Sequence, residues 1–419
     1  MTLTAHLTAR TERFDGDAPL TYASPSSPTV FLRGDEGIVG IGETLRLTFT
    51  GEDRFRQAAN AWDALCGAAT VHDSVGLPGT GVVAFGTFAF DATSRSESVL
   101  IIPQIVLGEA EGQRWLTRIT LDVEDSSSPA SELLRPSEIE ETRVELQRGR
   151  ISPAAYEGEV AAALQEIRAG AVTKLVVARD LVGQLPANAD LRSVVRELRR
   201  RYPTAMTYSV DGMLGASPET LVRARDGRFW MRVLAGTAPR GATGALDADA
   251  ADSLAKSGKN VEEHAFAVDS ALESLRKLGL SATAGGAFTL QLPNLWHIAT
   301  DIEGILGEQS TLRMLDEIHP TAAVGGTPTV AAMELIRKVE GLDRGRYAAP
   351  VGWVDSQGNA TWAIALRGAE VAASGAIRAF AGAGIVAGSD SRAELRETDI
   401  KFRPIRDAFA DPLPPEIPV

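Results

Sequence analysis

The chain of 419 residues is short of several things. It has a single cysteine, Cys66, which excludes an intramolecular disulfide and any cysteine-rich metal site. One thiol fits a reducing compartment. No stretch approaches the roughly 18 consecutive apolar residues of a membrane-spanning helix. The opening MTLTAHLTARTERFDGD lacks the apolar core of a secretory signal. A cytoplasmic protein without membrane association is the expectation. Basic residues are scarce: 42 Lys and Arg face 55 Asp and Glu, a formal net charge of −13. Such a chain gains nothing from a phosphate backbone, which argues against nucleic acid as a partner. It also repels small anions at long range, so an anionic ligand needs locally concentrated cations or a metal ion. HExxH motifs, phosphate loops and a Ser–His–Asp order are missing.

What is present is enough apolar sequence, 44%, for a sizeable core. Residues 1 to about 120 read mainly as strands: Val30–Leu32, Ile38–Ile41, Leu45–Phe49, Val82–Phe90 and Ser98–Leu107, with a helix over Phe55–Cys66. Arg33-Gly34-Asp35 reads as a hairpin turn. The polar segment 124–150 reads as a crossing between two parts, 1–150 and 151–410. Ser152-Pro153 then predicts a helix start, with Ser as N-cap and Pro at the first helical position. Tyr156, Val160, Leu164 and Ile167 give that helix an apolar stripe, and Gly170 ends it. Val261, Ala265, Val268, Leu272 and Leu275 mark another amphipathic helix. Strands and helices mix without regular alternation, which predicts an α+β layered fold. Gly382, Gly384 and Gly388 superficially suggest a dinucleotide fingerprint, but the third glycine comes one position late and no βαβ unit follows.

Four acid-bearing segments could do chemistry. Glu219 follows the small-residue run Gly215-Ala216-Ser217-Pro218. It is either a glutamate in an N-terminal helical turn or a general acid whose pKa burial has raised. Glu262-Glu263 sit on a helix, where a solvated face is the plain alternative. Glu394 and Glu397, at i and i+3, share one helical face, and like charges so close call for a cation between them. Mg²⁺, which prefers a few carboxylates with waters and substrate oxygens, would serve, as would Arg or Lys. Asp301-Ile302-Glu303 reads equally well as an edge strand. Among the bases, Lys174 opens the apolar run Leu175–Ala178, Arg367 ends Ala363–Leu366, and Lys401 lies at i+4 from Glu397. Lys174 is either an end-of-strand snorkel or, desolvated, a base. His297 beside Trp296 reads first as a packing residue. The bends at 235–237 and 382–384 offer backbone N–H groups to an anion.

Together these segments resemble the chorismate-utilising enzymes. The resemblance rests on nine ordered stretches: KLVVAR (174–179), GASPETLV (215–222), LAGTAPR (234–240), KNVEEH (259–264), LWHIATDIEG (295–304), HPTAAVGGTP (319–328), YAAPVGW (347–353), AIALRGAE (363–370) and AGAGIVAGSDSRAELRETDIK (381–401). The first 120 residues match only loosely. The family implies one large domain of two stacked, largely antiparallel sheets flanked by helices, with the site in the C-terminal half. It implies Mg²⁺ bound by Glu263 and Glu397 and supported by Glu394, holding the ring carboxylate of chorismate beside His297. Arg367, Tyr347 and the N–H groups around Gly382 and Gly384 would hold the enolpyruvyl carboxylate. Gly236, Thr237 and Lys401 would complete the anion-binding shell. One departure stands out: some relatives carry glutamate three residues before the metal-binding glutamate, where this chain has Asn260.

Members of the family differ in the nucleophile they add. The resemblance makes Lys174 the base that activates water and Glu219 the acid that protonates the leaving hydroxyl, as in isochorismate synthases. Anthranilate synthases typically place glutamine at the position of Lys174. Aminodeoxychorismate synthases typically carry lysine at that of Ala235. Salicylate synthases share the lysine, but tend to carry threonine where Ala323 stands; they are the alternative reading. The implied activity is conversion of chorismate to isochorismate, for menaquinone or siderophore biosynthesis, by a protein acting as a monomer.

Overall fold

The structure is a computed structural model that describes residues 6–121, 134–241, 243–291, 295–307 and 309–410; at residues 237, 239, 259, 263 and 295 it describes the backbone alone. Part of the 124–150 crossing segment therefore lies outside the described residues. Two sheets carry the fold, of 13 and 10 strands among the described residues. Pairing is antiparallel throughout, save for Leu7–Arg13 beside Thr70–Asp73. This is the layered α+β architecture the sequence implies, and each sheet is shared by both parts of the chain. In the larger sheet Thr29–Arg33 pairs with Met206–Val210; in the smaller one Val83–Thr87 pairs with Pro350–Asp355. One continuous apolar core runs from Leu7 to Ile385 across both.

Local chemistry explains most elements. Arg33 and Glu36 close the hairpin between Thr29–Arg33 and Glu36–Ile41, with Gly34 at φ 57°, a left-handed turn conformation that suits glycine. Ser152 caps helix Pro153–Arg168 by accepting from the Ala155 amide at 3.2 Å. Tyr156, Val160, Leu164 and Ile167 of that helix are buried. Helices Leu191–Arg201 and Ser391–Phe409 pack together on the larger sheet, through Leu191, Val194 and Leu198 against Phe402, Ile405 and Phe409. Helix Gly258–Lys277 lies against strand Arg228–Pro239 of the smaller sheet.

Three sequence expectations are corrected. The run 98–107 is two strands, Ser98–Ile102 and Ile105–Ala110, broken at Pro103 and belonging to different sheets; a proline cannot donate within a ladder. Asp301-Ile302-Glu303 is no edge: the strand Leu295–Ile305 has Arg228–Pro239 on one side and Ser281–Ala284 with Phe288–Gln291 on the other. Val261 is exposed, whereas Val268 and Leu275 are buried, so the apolar stripe of its helix faces inward only further along.

Candidate active site

Two places where the chain crosses from one sheet to the other build the floor of a large cleft. The first runs from strand Met213–Ser217 of the larger sheet to Thr220–Arg225 of the smaller, with Glu219 between them. Glu219 is therefore on an inter-sheet crossover, not in a helical turn. The second runs from Ala360–Ile364 to Gly368–Val371, with Arg367 between them. The crossovers are bonded to each other. The Ser217 hydroxyl donates to Ile364 O at 2.6 Å, Ile364 N–H donates to Glu219 O at 3.1 Å, and Ala216 N–H donates to Arg367 O at 3.4 Å. Arg367 holds φ 55°, which for a residue with a side chain stores on the order of 1–3 kcal/mol of strain. Buried Tyr208 supports the turn by donating to Leu366 O at 3.0 Å.

The cleft has a volume of about 1400 Å³. Its wall brings together Lys174, Glu219, Gly236, His297, Tyr347, Arg367, Gly382, Gly384, Glu394, Glu397 and Lys401. Asn260, Ala235 and Ala323 line it too. The side chains of Thr237 and Glu263 lie outside what the structure describes; their backbones belong to strand Arg228–Pro239 and helix Gly258–Lys277. Lys174 starts strand Lys174–Gln184, which pairs along its length with Ala376–Val386, the strand of Gly382 and Gly384.

The bend at 235–237 is a register shift in strand Arg228–Pro239, with Gly236 at φ 76°. A Cβ on Gly236 would stand 3.3 Å from Asn260 Cβ and 3.4 Å from its carbonyl, so glycine lets the bend rest on the first turn of helix Gly258–Lys277. His264 fixes that helix from below, its Nε2 2.8 Å from the Thr300 hydroxyl.

Helix Ser391–Phe409 delivers the other carboxylates. Asp390 caps it, accepting from the Ala393 amide at 2.9 Å. Glu394, Glu397 and Lys401 share its cleft-facing side, as their spacing predicts. Lys401 forms an ion pair with Glu397 at 2.6 Å and donates to Gly382 O at 2.8 Å. The lysine thus tethers a carboxylate and the glycine strand to each other.

Burial shifts the titrations. It raises Glu219 above the usual carboxylate range, against the pull of Lys174, Arg367 and Lys401. Burial, and then the charge of Glu397, raises Glu394. Burial, then the charge of Lys174, lowers His297 to about 4, so its imidazole is neutral at pH 7. Burial lowers Lys401, against the attraction of Glu397. Burial raises the Tyr347 phenol, which stacks on Phe380 at 5.1 Å. The cleft therefore holds an acid whose protonated form burial favours, the basic side chains of Lys174, Arg367 and Lys401, and a carboxylate pair. Such a set can orient a small polyanion and hold a hard metal ion through oxygen ligands.

Sequence reasoning missed Arg344 and Glu340, a buried ion pair beneath this wall. Their i, i+4 spacing just before Tyr347 was the available signal.

The family model described as "Chorismate binding enzyme" matches residues 7–410. A Mycobacterium tuberculosis protein provisionally named isochorismate synthase MenF is 35% identical over 349 residues, 79% of this chain and 87% of the relative. The salicylate biosynthesis isochorismate synthase of Pseudomonas aeruginosa is 32% identical over 404 residues, 88% and 82% of the two chains. The solved structure of the menaquinone-specific isochorismate synthase MenF of Escherichia coli shares the fold, with TM-score 0.76 at 21% identity, covering 96% of this chain and 94% of that one.

Proposed function

The chain belongs to the chorismate-binding enzymes, and from that premise we propose that it is an isochorismate synthase, adding water at C2 of chorismate as the C4 hydroxyl leaves. One observation carries the reading: a lysine and a buried glutamate whose protonated form burial favours line one cleft with the cations that a dicarboxylate needs. The names of its relatives point the same way.

In this reading Lys174 takes a proton from the attacking water. Glu219, whose protonated form burial favours, donates its proton to the C4 oxygen, which departs as water. The lysine ends protonated and the glutamate ionised; one proton passed between them through solvent resets both, and the net reaction is an isomerisation. Arg367 and Tyr347, with the amides around Gly382 and Gly384, orient the enolpyruvyl carboxylate. Gly236 and Thr237 form the bend that closes over the ring carboxylate next to His297. Lys401 acts at contact range by aligning Glu397.

Glu394 and Glu397 are hard oxygen donors on one helical face, suited to Mg²⁺, and Glu263 would join them. Bound there, Mg²⁺ would neutralise and orient the ring carboxylate. This is how a protein of net charge −13 takes a dianion: local cations outweigh the distant, screened field. A single chain supplies all these groups, so we take the monomer as the catalytic unit. The product would feed menaquinone or siderophore biosynthesis. No helix among the described residues is long and apolar enough to cross a membrane.

Chromatography of the products from chorismate and Mg²⁺ tests the proposal. Isochorismate alone is expected. Salicylate with pyruvate would make the protein a salicylate synthase, and an amino product formed with ammonia would sink the water-adding assignment.

A further inference from the structure

The residues that flank the base are held from behind by a buried clasp. The side chains of Arg344 and Glu340 are 2% and 1% exposed. Arg344 donates through Nη2 to Val176 O at 2.9 Å and through Nη1 to Val324 O at 2.8 Å. Its Nε donates to Glu340 Oε2 at 2.8 Å, and Nη2 also meets Glu340 Oε1. Glu340 Oε1 in turn accepts from Ala178 N–H at 2.8 Å. The guanidinium lies over the Phe90 ring, 4.4 Å from its centroid. The Arg344 carbonyl accepts from Tyr347 N–H at 3.0 Å.

This single fork therefore joins three segments of the cleft wall: the strand that begins at Lys174, the 323–324 turn, and the approach to Tyr347. A pair serving stability alone has no need of such geometry. Buried ion pairs are often no better for stability than apolar residues of similar size. What the fork supplies is fixed spacing: five donors in a rigid plane set two carbonyls and a carboxylate in one arrangement. One carbonyl, that of Val176, lies on the strand that begins at the base, and the other, that of Val324, lies in the turn that leads to Gly326–Thr327, which pairs with that strand.

We propose that Arg344 and Glu340 are positioning residues for the reaction, setting the strand of Lys174 and the turn of Ala323 at the spacing that water addition requires. The inference rests on the isochorismate synthase reading. Neither residue touches the cleft; both act through the backbone of Val176, Ala178 and Val324. A displacement of about 1 Å in such a frame costs on the order of 100-fold in rate.

Two variants of the full chain test this. Arg344→Lys keeps the charge and can still pair with Glu340, but cannot span both carbonyls. The double variant Arg344→Met/Glu340→Leu removes both charges and restores an apolar interior. Wild-type turnover of chorismate with Mg²⁺ is measured first, and its failure to give isochorismate would sink the functional reading on its own. With the wild type active, both variants are expected to fold, with kcat per folded molecule lowered about 100-fold and KM for chorismate little changed. Faster amide exchange at Ala178 is expected in the double variant. A folded variant with wild-type kcat, or one whose KM rises while kcat holds, overturns the proposal. Failure of both variants to fold would make the pair a folding determinant and overturn it equally.

Discussion

A Cβ on Gly384 would stand 3.0 Å from Cε of Lys174 and 3.8 Å from its Nζ. The two residues sit on paired strands, Gly384 opposite Val176, so the lysine side chain passes over the glycine. A larger residue there presses on the lysine side chain at Cε. Gly384→Ala is expected to lower kcat several-fold while the protein melts at nearly its usual temperature. Lys174→Ala should lower it by about 10²–10⁴. Unchanged turnover in Gly384→Ala would mean that the lysine amine needs no fixed place.

Glu219 couples activity to a cost in stability. Burial raises its pKa above that of the unfolded chain, so the folded protein holds the proton more tightly. Stability is then lost as pH rises from the unfolded pKa through the raised folded one. Glu219→Gln mimics the neutral acid. It should melt at or above the wild-type temperature at pH 7 while kcat drops by about 10²–10⁴. A variant that is active, or inactive only because it is less stable, would contradict the acid role.

Chelation separates metal from fold. Glu394 and Glu397 lie on a helix anchored by Phe402, Ile405 and Phe409 in an apolar cluster. EDTA should therefore abolish turnover without lowering the melting temperature appreciably, and added Mg²⁺ should restore it. Full turnover in EDTA would remove the metal assignment.

His319 predicts acid lability. It is buried between Phe55 and Phe90, with Nε2 3.1 Å from Phe90 O. Burial, and then the charge of Arg54, lowers it from 6.5 to about 3. The unfolded chain therefore takes up the proton first. Stability should fall as pH drops below about 6.5, the loss from this residue being complete near 3. Melting curves across that range should show a shallower fall for His319→Gln; equal slopes would show that the imidazole does not contribute.

What the sequence disclosed was local. The hairpin at Gly34, the cap at Ser152, and the shared face of Glu394, Glu397 and Lys401 all follow from spacing within a few residues. The layered class followed as well, from strands and helices mixed without alternation. The site residues came from an ordered resemblance, since Glu219, Lys174 and His297 each had a plain structural reading alone. Out of reach was whatever depends on distant pairing. Lys174 meets Val386 and Thr327, and no local periodicity encodes such partners. The crossovers at Glu219 and Arg367 were hidden for the same reason, because a change of sheet looks like an ordinary break between strands. Arg344 and Glu340 escaped notice because a charged i, i+4 pair usually faces solvent.

The seams between Thr29–Arg33 and Met206–Val210, and between Val83–Thr87 and Pro350–Asp355, bear on how the molecule could be divided. Each sheet changes from early to late sequence once, at an interior strand pair. A fragment ending before residue 134 would present two raw sheet edges, and the remainder would present their two complements. Neither piece should persist alone, since bare edges of this length invite aggregation. Co-expressed, the pieces have matching edges to reunite, so the chain is a candidate for split-protein complementation reported by its own turnover.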